Sequence, residues 1–277
     1  MFDVLHDKMT AGAFVPGVYD SYTNAEYHAA DGISKSDLDL IHRSPAHYKA
    51  ARHEETPALR FGSAFHCAVL EHDRFNETYT IIEGDRRTKV VKDSIKEAEA
   101  AGKIILTADD FNAIMGMTES VLKNHICAAL LRDSLKEHSV FGELDEVRVK
   151  CRPDGWNVEK GVLFDLKSTE DASPEGFART VAKYRYHVQD AFYRHVIASA
   201  TGGDADDLSF VFIAVEKKPP FAVALYQLDE LATLQGWVDA REDLRRYKAA
   251  KDTGKWGGYS PRIETLSLPR WAVSNSE

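Results

Sequence analysis

Apolar residues along this chain repeat first at helical spacing and then in alternation, which predicts a helical front section followed by a strand-rich centre. From Ser34, the run KSDLDLI sets Leu38 and Ile41 one turn apart, and Ser34 with Asp37 three residues later has the form of a capping box. Ser44-Pro45 predicts a fresh helical segment through HYKAARH. In LRFGSAFHCAVLE, Gly62, His66 and Leu70 share one face, while Ala64, Phe65 and Ala68 allow close packing. TYTII and KIIL read as short strands around a helical pattern. Thr107 caps the next predicted helix, DDFNAIMGMTESVLKN, and HICAALLRDSLK supplies another. Residues 1–26 carry few organising signals beyond a Pro-Gly turn in FVPGVYDSY, which reads as a surface approach.

The period then shortens to two. VRVKCRP and GVLFDLKST both read as strands, the second with Val162, Phe164 and Leu166 on one side and Asp165 and Lys167 on the other. A turn from Asp154-Gly155 through Glu159-Lys160-Gly161 folds the two runs into a hairpin and brings Asp154 beside Asp165. Paired carboxylates in one pocket repel, and a hard divalent cation relieves that repulsion through oxygen ligation. Lys167 on the same face suits water activation or charge stabilisation at a phosphate. The competing reading is a surface hairpin with solvated ion pairs, each worth little.

Beyond the hairpin, Ser173-Pro174-Glu175 predicts a helix start, and Gln189 and Tyr193 lie four apart on one helical face. LSFVFIAVEK and FAVALYQLD extend the predicted sheet. LDELATLQGWVDAREDLRRYKAA reads as an amphipathic helix with Leu228, Leu231, Leu234, Val238 and Leu244 as its apolar stripe. The tail is rich in turns, with Trp256, Tyr259 and Trp271 read as local packing groups in preference to contacts with DNA or another subunit.

Composition changes this picture little. The 277 residues are 44% hydrophobic and 29% charged, as in an ordinary globular protein, with no apolar run long enough to span a membrane. The absence of a signal-peptide pattern and the three widely spaced cysteines, Cys67, Cys127 and Cys151, point to a cytoplasmic protein with reduced thiols. A formal net charge of −9 argues against broad non-specific coating of nucleic acid but permits a local basic channel. Arg86, Arg87, Lys89, Lys92 and Lys96 form the densest basic run, read equally as a phosphate guide or as a solvated face. Arg43, His47 and Lys49 are weaker phosphate candidates, with solvated helix positions the favoured reading.

The ordered set KCRPDG, DLKST, DASPEGF and YHVQDAFY resembles the PD-(D/E)xK nuclease superfamily. It is most similar to the exonuclease VIII (RecE-like) group, related to RecB nuclease domains and phage lambda exonuclease. GISKSDLDLIHRSPAHY and LRFGSAFHCAVLE resemble that group's front segments, so the likeness runs over roughly residues 27–193. It implies an α/β, restriction-endonuclease-like fold: a mixed central sheet with flanking helices and a helical N-terminal section. We expect one domain over 1–277, with a mainly helical cleft-forming part at 27–135 and a catalytic sheet core at 141–228.

The resemblance also implies roles. Asp154, Asp165, Lys167, Gln189 and Tyr193 would be catalytic, and Glu143 is carried with them, although Glu146 competes for its position. His66, Asp154, Asp165 and the Leu166 backbone carbonyl would hold Mg2+, with Mn2+ as a substitute; from pattern alone His66 is a boundary residue. Tyr186 and His187 are further cleft candidates. The implied activity is 5'-to-3' exonucleolytic digestion of linear double-stranded DNA ends, leaving 3' overhangs for recombination. A single-strand annealing recombination protein and a ring-forming homo-oligomer would be its partners. The alternatives are a structure-selective or single-strand endonuclease and a non-hydrolytic DNA-binding recombination partner.

Overall fold

The computed structural model describes residues 2–10, 12–52, 56–82 and 88–269. In chain order they form β1 (Val4–Leu5), β2 (Gly17–Tyr19), α1 (Asn24–Ala29), α2 (Lys35–Arg43), α3 (Pro45–Ala50), α4 (Pro57–Leu70), α5 (His72–Thr78) and β3 (Tyr79–Ile81). Then come α6 (Lys89–Ala100), β4 (Ile104–Leu106), α7 (Ala108–Lys123), α8 (His125–Arg132), β5 (Leu135–Lys136), β6 (Ser139–Leu144), β7 (Val147–Cys151) and β8 (Gly155–Asn157). The last are β9 (Val162–Thr169), α9 (Pro174–Lys183), α10 (Tyr186–Thr201), β10 (Ser209–Glu216), β11 (Val223–Tyr226) and α11 (Glu230–Thr253). This is an α/β fold with a mixed central sheet, flanking helices and a helical N-terminal region. Among the described residues, no helix is long and apolar enough to cross a membrane.

The five-stranded sheet runs β11-β10-β9-β8-β5, with β9 and β10 parallel and the other pairs antiparallel. Alternation along β9 and β10 serves two cores. Leu163, Phe210 and Phe212 pack with Phe177, Val188, Phe192 and Leu244 from α9, α10 and α11. Phe164, Leu166, Ile213 and Val215 pack with Phe65, Ile114 and Val121 from α4 and α7. The sheet is therefore sandwiched between helices, with both faces of β9 buried. Local signals set the helix starts: Ser34 and Asp37 form the reciprocal capping box, Thr107 caps α7, and Ser173 with Pro174 opens α9.

Four expectations are corrected. VRVKCRP does not pair with GVLFDLKST: β7 pairs with β6 in a separate sheet, and the short β8 makes the hairpin with β9. Residues 135–136 leave the predicted helix and pair with β8 as an edge strand. The N-terminal residues do more than approach the surface. β1 and β2 join β6 and β7 in a four-stranded sheet, and Tyr19, Tyr22 and Tyr27 pack around Phe141.

The fourth concerns α11, where Leu231, Leu234 and Val238 are exposed and the buried face is Gly236, Ala240, Asp243, Leu244 and Ala250. Small residues win that face because α10 lies so close that a Cβ on Gly236 would overlap the His187 carbonyl. Trp256 packs locally as expected, against Tyr48 and Tyr247, whereas Tyr259 is largely exposed. Trp271, Arg86 and Arg87 lie outside the described residues.

Candidate active site

The β8–β9 ladder places Gly155 opposite Phe164, so the preceding Asp154 falls next to Asp165 where the ladder ends. Gly155 is required there, because a Cβ would run into the Phe164 ring. Both aspartates are buried, at 5% and 3% exposure. Asp154 Oδ2 accepts the Leu166 N–H at 2.5 Å, tying the carboxylate to β9 itself. Its Oδ1 lies 3.1 Å from His66 Nδ1, and His66 Nε2 is 2.9 Å from the Leu166 carbonyl. α4 thus places His66 beside Asp154 and the Leu166 carbonyl, two of the three groups with which the resemblance associated it.

Asp165 is held from two sides. Gln189 Nε2 on α10 donates to Oδ2 at 2.6 Å, and Oδ1 pairs with the Lys167 ammonium two residues along the strand. The Lys167 ammonium also stands 4.6 Å from the centre of the Tyr186 ring. Tyr193, one turn beyond Gln189, lines the same cleft, and burial pushes its phenol well above its ordinary value.

Glu143 is not brought in. It is exposed near the end of β6, opposite Arg148, with its N–H donated to Ser199 Oγ at 3.0 Å. Glu137 reaches the site instead. Its carboxylate clusters with His66 and Asp154, the three ligand atoms lying within 4.8 Å of one another. Glu137 sits between β5 and β6 at φ 54°, a left-handed conformation unusual for a residue with a Cβ. Its N–H bonds the Asp154 carbonyl at 3.3 Å and its Oε2 pairs with Arg152 Nε at 3.1 Å. No spacing or periodicity in LKEHS announces this residue.

The cluster is electrostatically unrelieved. Burial and then the Asp154 charge push Glu137 up to about 7. The same two causes raise Asp165, in the same order, against the opposing pull of Lys167 and His66. Burial disfavours the His66 imidazolium, but the Asp154 carboxylate outweighs it and lifts His66 to about 9. One imidazole, a backbone carbonyl and carboxylates that repel one another form a donor set that fits a divalent cation. Among the described residues, His66, Glu137 and Asp154 form the group able to hold it, while the two Asp165 carboxylate oxygens are engaged by Gln189 and Lys167.

These groups floor a cleft of about 520 Å³ whose walls include Lys35, Arg74 and Arg152. Each of these cations is already paired with a carboxylate, Lys35 with Asp39, Arg74 with Glu71 and Arg152 with Glu137, so the cleft mixes both signs of charge on a body that is acidic overall. Arg43, His47 and Lys49 do not line it. Arg43 bonds the Tyr259 hydroxyl, the His47 ring packs against Tyr259, and Lys49 lies over Trp256. His187 faces Asp239 and a different groove. Cys67, Cys127 and Cys151 are all free and buried.

This combination of mixed sheet, Asp154, Asp165 and Lys167 defines a PD-(D/E)xK-like arrangement compatible with metal-dependent phosphodiester hydrolysis. Residues 34–269 match the family described as a PDDEXK-like domain of unknown function (DUF3799), and the chain belongs to that family. No curated protein matches it. Among solved structures it is similar to a proposed exonuclease from Eubacterium rectale, with 15% identity, TM-score 0.61 and coverage of 90% of this chain and 96% of that one. This likeness is one of fold. Two others are too distant to carry an argument. A phage-related exonuclease from Haemophilus somnus 129PT has 11% identity, TM-score 0.33 and coverage of 83% and 99%. The protein SSO0001 has 13% identity, TM-score 0.30 and coverage of 75% and 85%.

Proposed function

We infer that this protein is a Mg2+-dependent exonuclease acting 5'-to-3' on linear double-stranded DNA and leaving 3' single-stranded overhangs, with Mn2+ as a substitute cation. The observation that carries the reading is the buried pair Asp154–Asp165 with Lys167 on the same strand face and Gln189 holding the second carboxylate. The resemblance of KCRPDG, DLKST and YHVQDAFY to RecE-like exonucleases supports the direction and the duplex substrate, and the Eubacterium rectale relative is itself described as a proposed exonuclease. Action in a bacterial cytosol, a ring-forming homo-oligomer and a single-strand annealing partner come with the same resemblance.

In this reading Asp154, Asp165, His66, Glu137 and the Leu166 carbonyl would hold the cation. The chemistry supplied there would be Lewis-acid polarisation of the phosphate. Lys167 orients the attacking water or neutralises charge building on a phosphate oxygen. Gln189 aims the Asp165 carboxylate by donating to Oδ2, a bond that favours the charged form against the burial that opposes it. Lys35, Arg74 and Arg152 on the walls attract the strand.

The test is digestion of matched linear and covalently closed duplexes in Mg2+, with separate 5' and 3' end labels. Early release of the 5' label from linear DNA alone supports the reading. Cutting of the closed circle turns it into an endonuclease, and first release of the 3' label reverses the polarity.

A further inference from the structure

Gln189 accounts for how Asp165 is held, but Lys167 needs a second support. Its ion pair with Asp165 pulls the ammonium back along its own strand, and Asp165 is the group a cation would engage. The Tyr186 ring provides that support. It sits 4.6 Å from Lys167 Nζ, within the range at which a ring face attracts a cation, and the site is largely desolvated. The ring is itself fixed by aromatic neighbours. Tyr184 stacks at 5.8 Å and 23°, Phe212 at 5.6 Å and 18°, and Phe177 lies at 6.2 Å.

The start of α10 is fixed as well. Arg185, the residue before Tyr186, takes a left-handed φ of 53° and is anchored by Asp39 at 3.1 Å, Asp243 at 2.6 Å and the Leu38 carbonyl. That anchor decides where α10 begins. Tyr186 and Gln189 are three apart on this helix, so one helical turn addresses both members of the Asp165–Lys167 pair. Lys35 approaches the same ring at 5.8 Å, but its ammonium is already bound to Asp39 and to the Tyr184 carbonyl. Among the described residues the Tyr186 hydroxyl forms no hydrogen bond, so the contact that matters is the ring.

We propose that Tyr186 is a positioning residue for this site: its ring face holds the Lys167 ammonium in the cleft by a cation–π contact, independently of its hydroxyl. The proposal rests on the nuclease reading for its kinetic consequence but not for the contact itself.

Two readouts separate these. In steady-state cleavage of linear duplex DNA, Tyr186→Phe keeps kcat within about twofold of wild type, and Tyr186→Leu lowers kcat about tenfold or more while DNA affinity in Ca2+ is unchanged. Replacing Tyr186 by progressively fluorinated phenylalanines, which retain the shape but drain the ring face of negative charge, lowers kcat stepwise. In NMR of the metal-free protein, with Lys167→Arg used for assignment, the Lys167 ε-methylene is shifted upfield by the ring in wild type and Tyr186→Phe. That shift is lost in Tyr186→Leu.

A fluorinated series with flat kcat overturns the proposal, as does a Lys167 signal indifferent to Tyr186→Leu. Wild-type protein that cleaves no DNA defeats the nuclease reading instead, and the ring-current shift then still decides the contact. If Tyr186→Leu fails to fold, the fluorinated series and Tyr186→Phe carry the test.

Discussion

Glu137 makes the most specific quantitative demand on this structure, because it links the charge of the site to the stability of the fold. Its carboxyl is raised from 4.5 to about 7 by burial and by the Asp154 charge. A raised carboxyl binds its proton more tightly folded than unfolded, so stability falls as pH rises from 4.5 through about 7. The shift corresponds to roughly 3 kcal/mol at about 1.4 kcal/mol per pH unit, and we take about 2 kcal/mol because 24% of the side chain is exposed beside Arg152.

His66 acts in the same direction at higher pH. Its folded value of about 9 lies above the ordinary 6.5, so the stability it contributes is complete below 6.5 and is lost as pH approaches 9. The two groups face one another, so their effects are counted together rather than summed. A divalent cation favours the ionised carboxylates and neutral imidazole, so its stabilisation grows with pH. The assay is urea unfolding from pH 5 to 9, in EDTA and in Mg2+, for wild type and Glu137→Gln. In EDTA the wild-type midpoint falls across this range, and the difference between wild type and Glu137→Gln changes by about 2 kcal/mol between pH 5 and 7.5. Mg2+ flattens the wild-type curve. A wild-type profile parallel to that of Glu137→Gln would refute the charge account of this cluster.

Three further substitutions test other positions in the molecule. Gln189→Met removes a charge-assisted hydrogen bond worth roughly 1.5–3 kcal/mol, so titration calorimetry should show cation affinity falling at least about tenfold, with recovery toward higher pH. Equal affinity would sever Gln189 from Asp165 function. Glu143→Gln should leave both cation affinity and stability within about 0.5 kcal/mol of wild type; a large loss of affinity would restore that residue to the site. Gly236→Ala should cost about 1–3 kcal/mol in chemical denaturation by forcing α11 from the His187 carbonyl, and a neutral result would mean the two helices have room to spare.

Much of the site was written in short-range chemistry. Strand alternation alone puts Asp165 and Lys167 on one face, and the turn after Asp154 brings it back beside Asp165. Capping residues marked the starts of α2, α7 and α9 because a helix end must satisfy its N–H groups locally. What could not be read depends on distant partners. VRVKC alternates as well as any strand, yet which neighbour it joins is decided by β6 and the aromatic cluster at Phe141. Glu143 stood in the better sequence context, but Glu137 reaches Asp154 through a left-handed backbone that no pattern of apolar residues encodes. On α11 the leucines suggested the buried face, whereas close helix approach selected Gly236 and Ala240.

In the proposed function the Asp154–Asp165–Lys167 cluster hydrolyses DNA phosphodiester bonds with a divalent cation. That hydrolysis is tested most directly by release of acid-soluble nucleotides from linear duplex DNA in Mg2+, comparing wild type with Asp165→Asn and Lys167→Ala proteins shown to be folded. Wild type should release nucleotides in Mg2+ and none in EDTA, and both variants should lose at least about a hundredfold. Undiminished release by either folded variant, or none from wild type in Mg2+ or Mn2+, would contradict it.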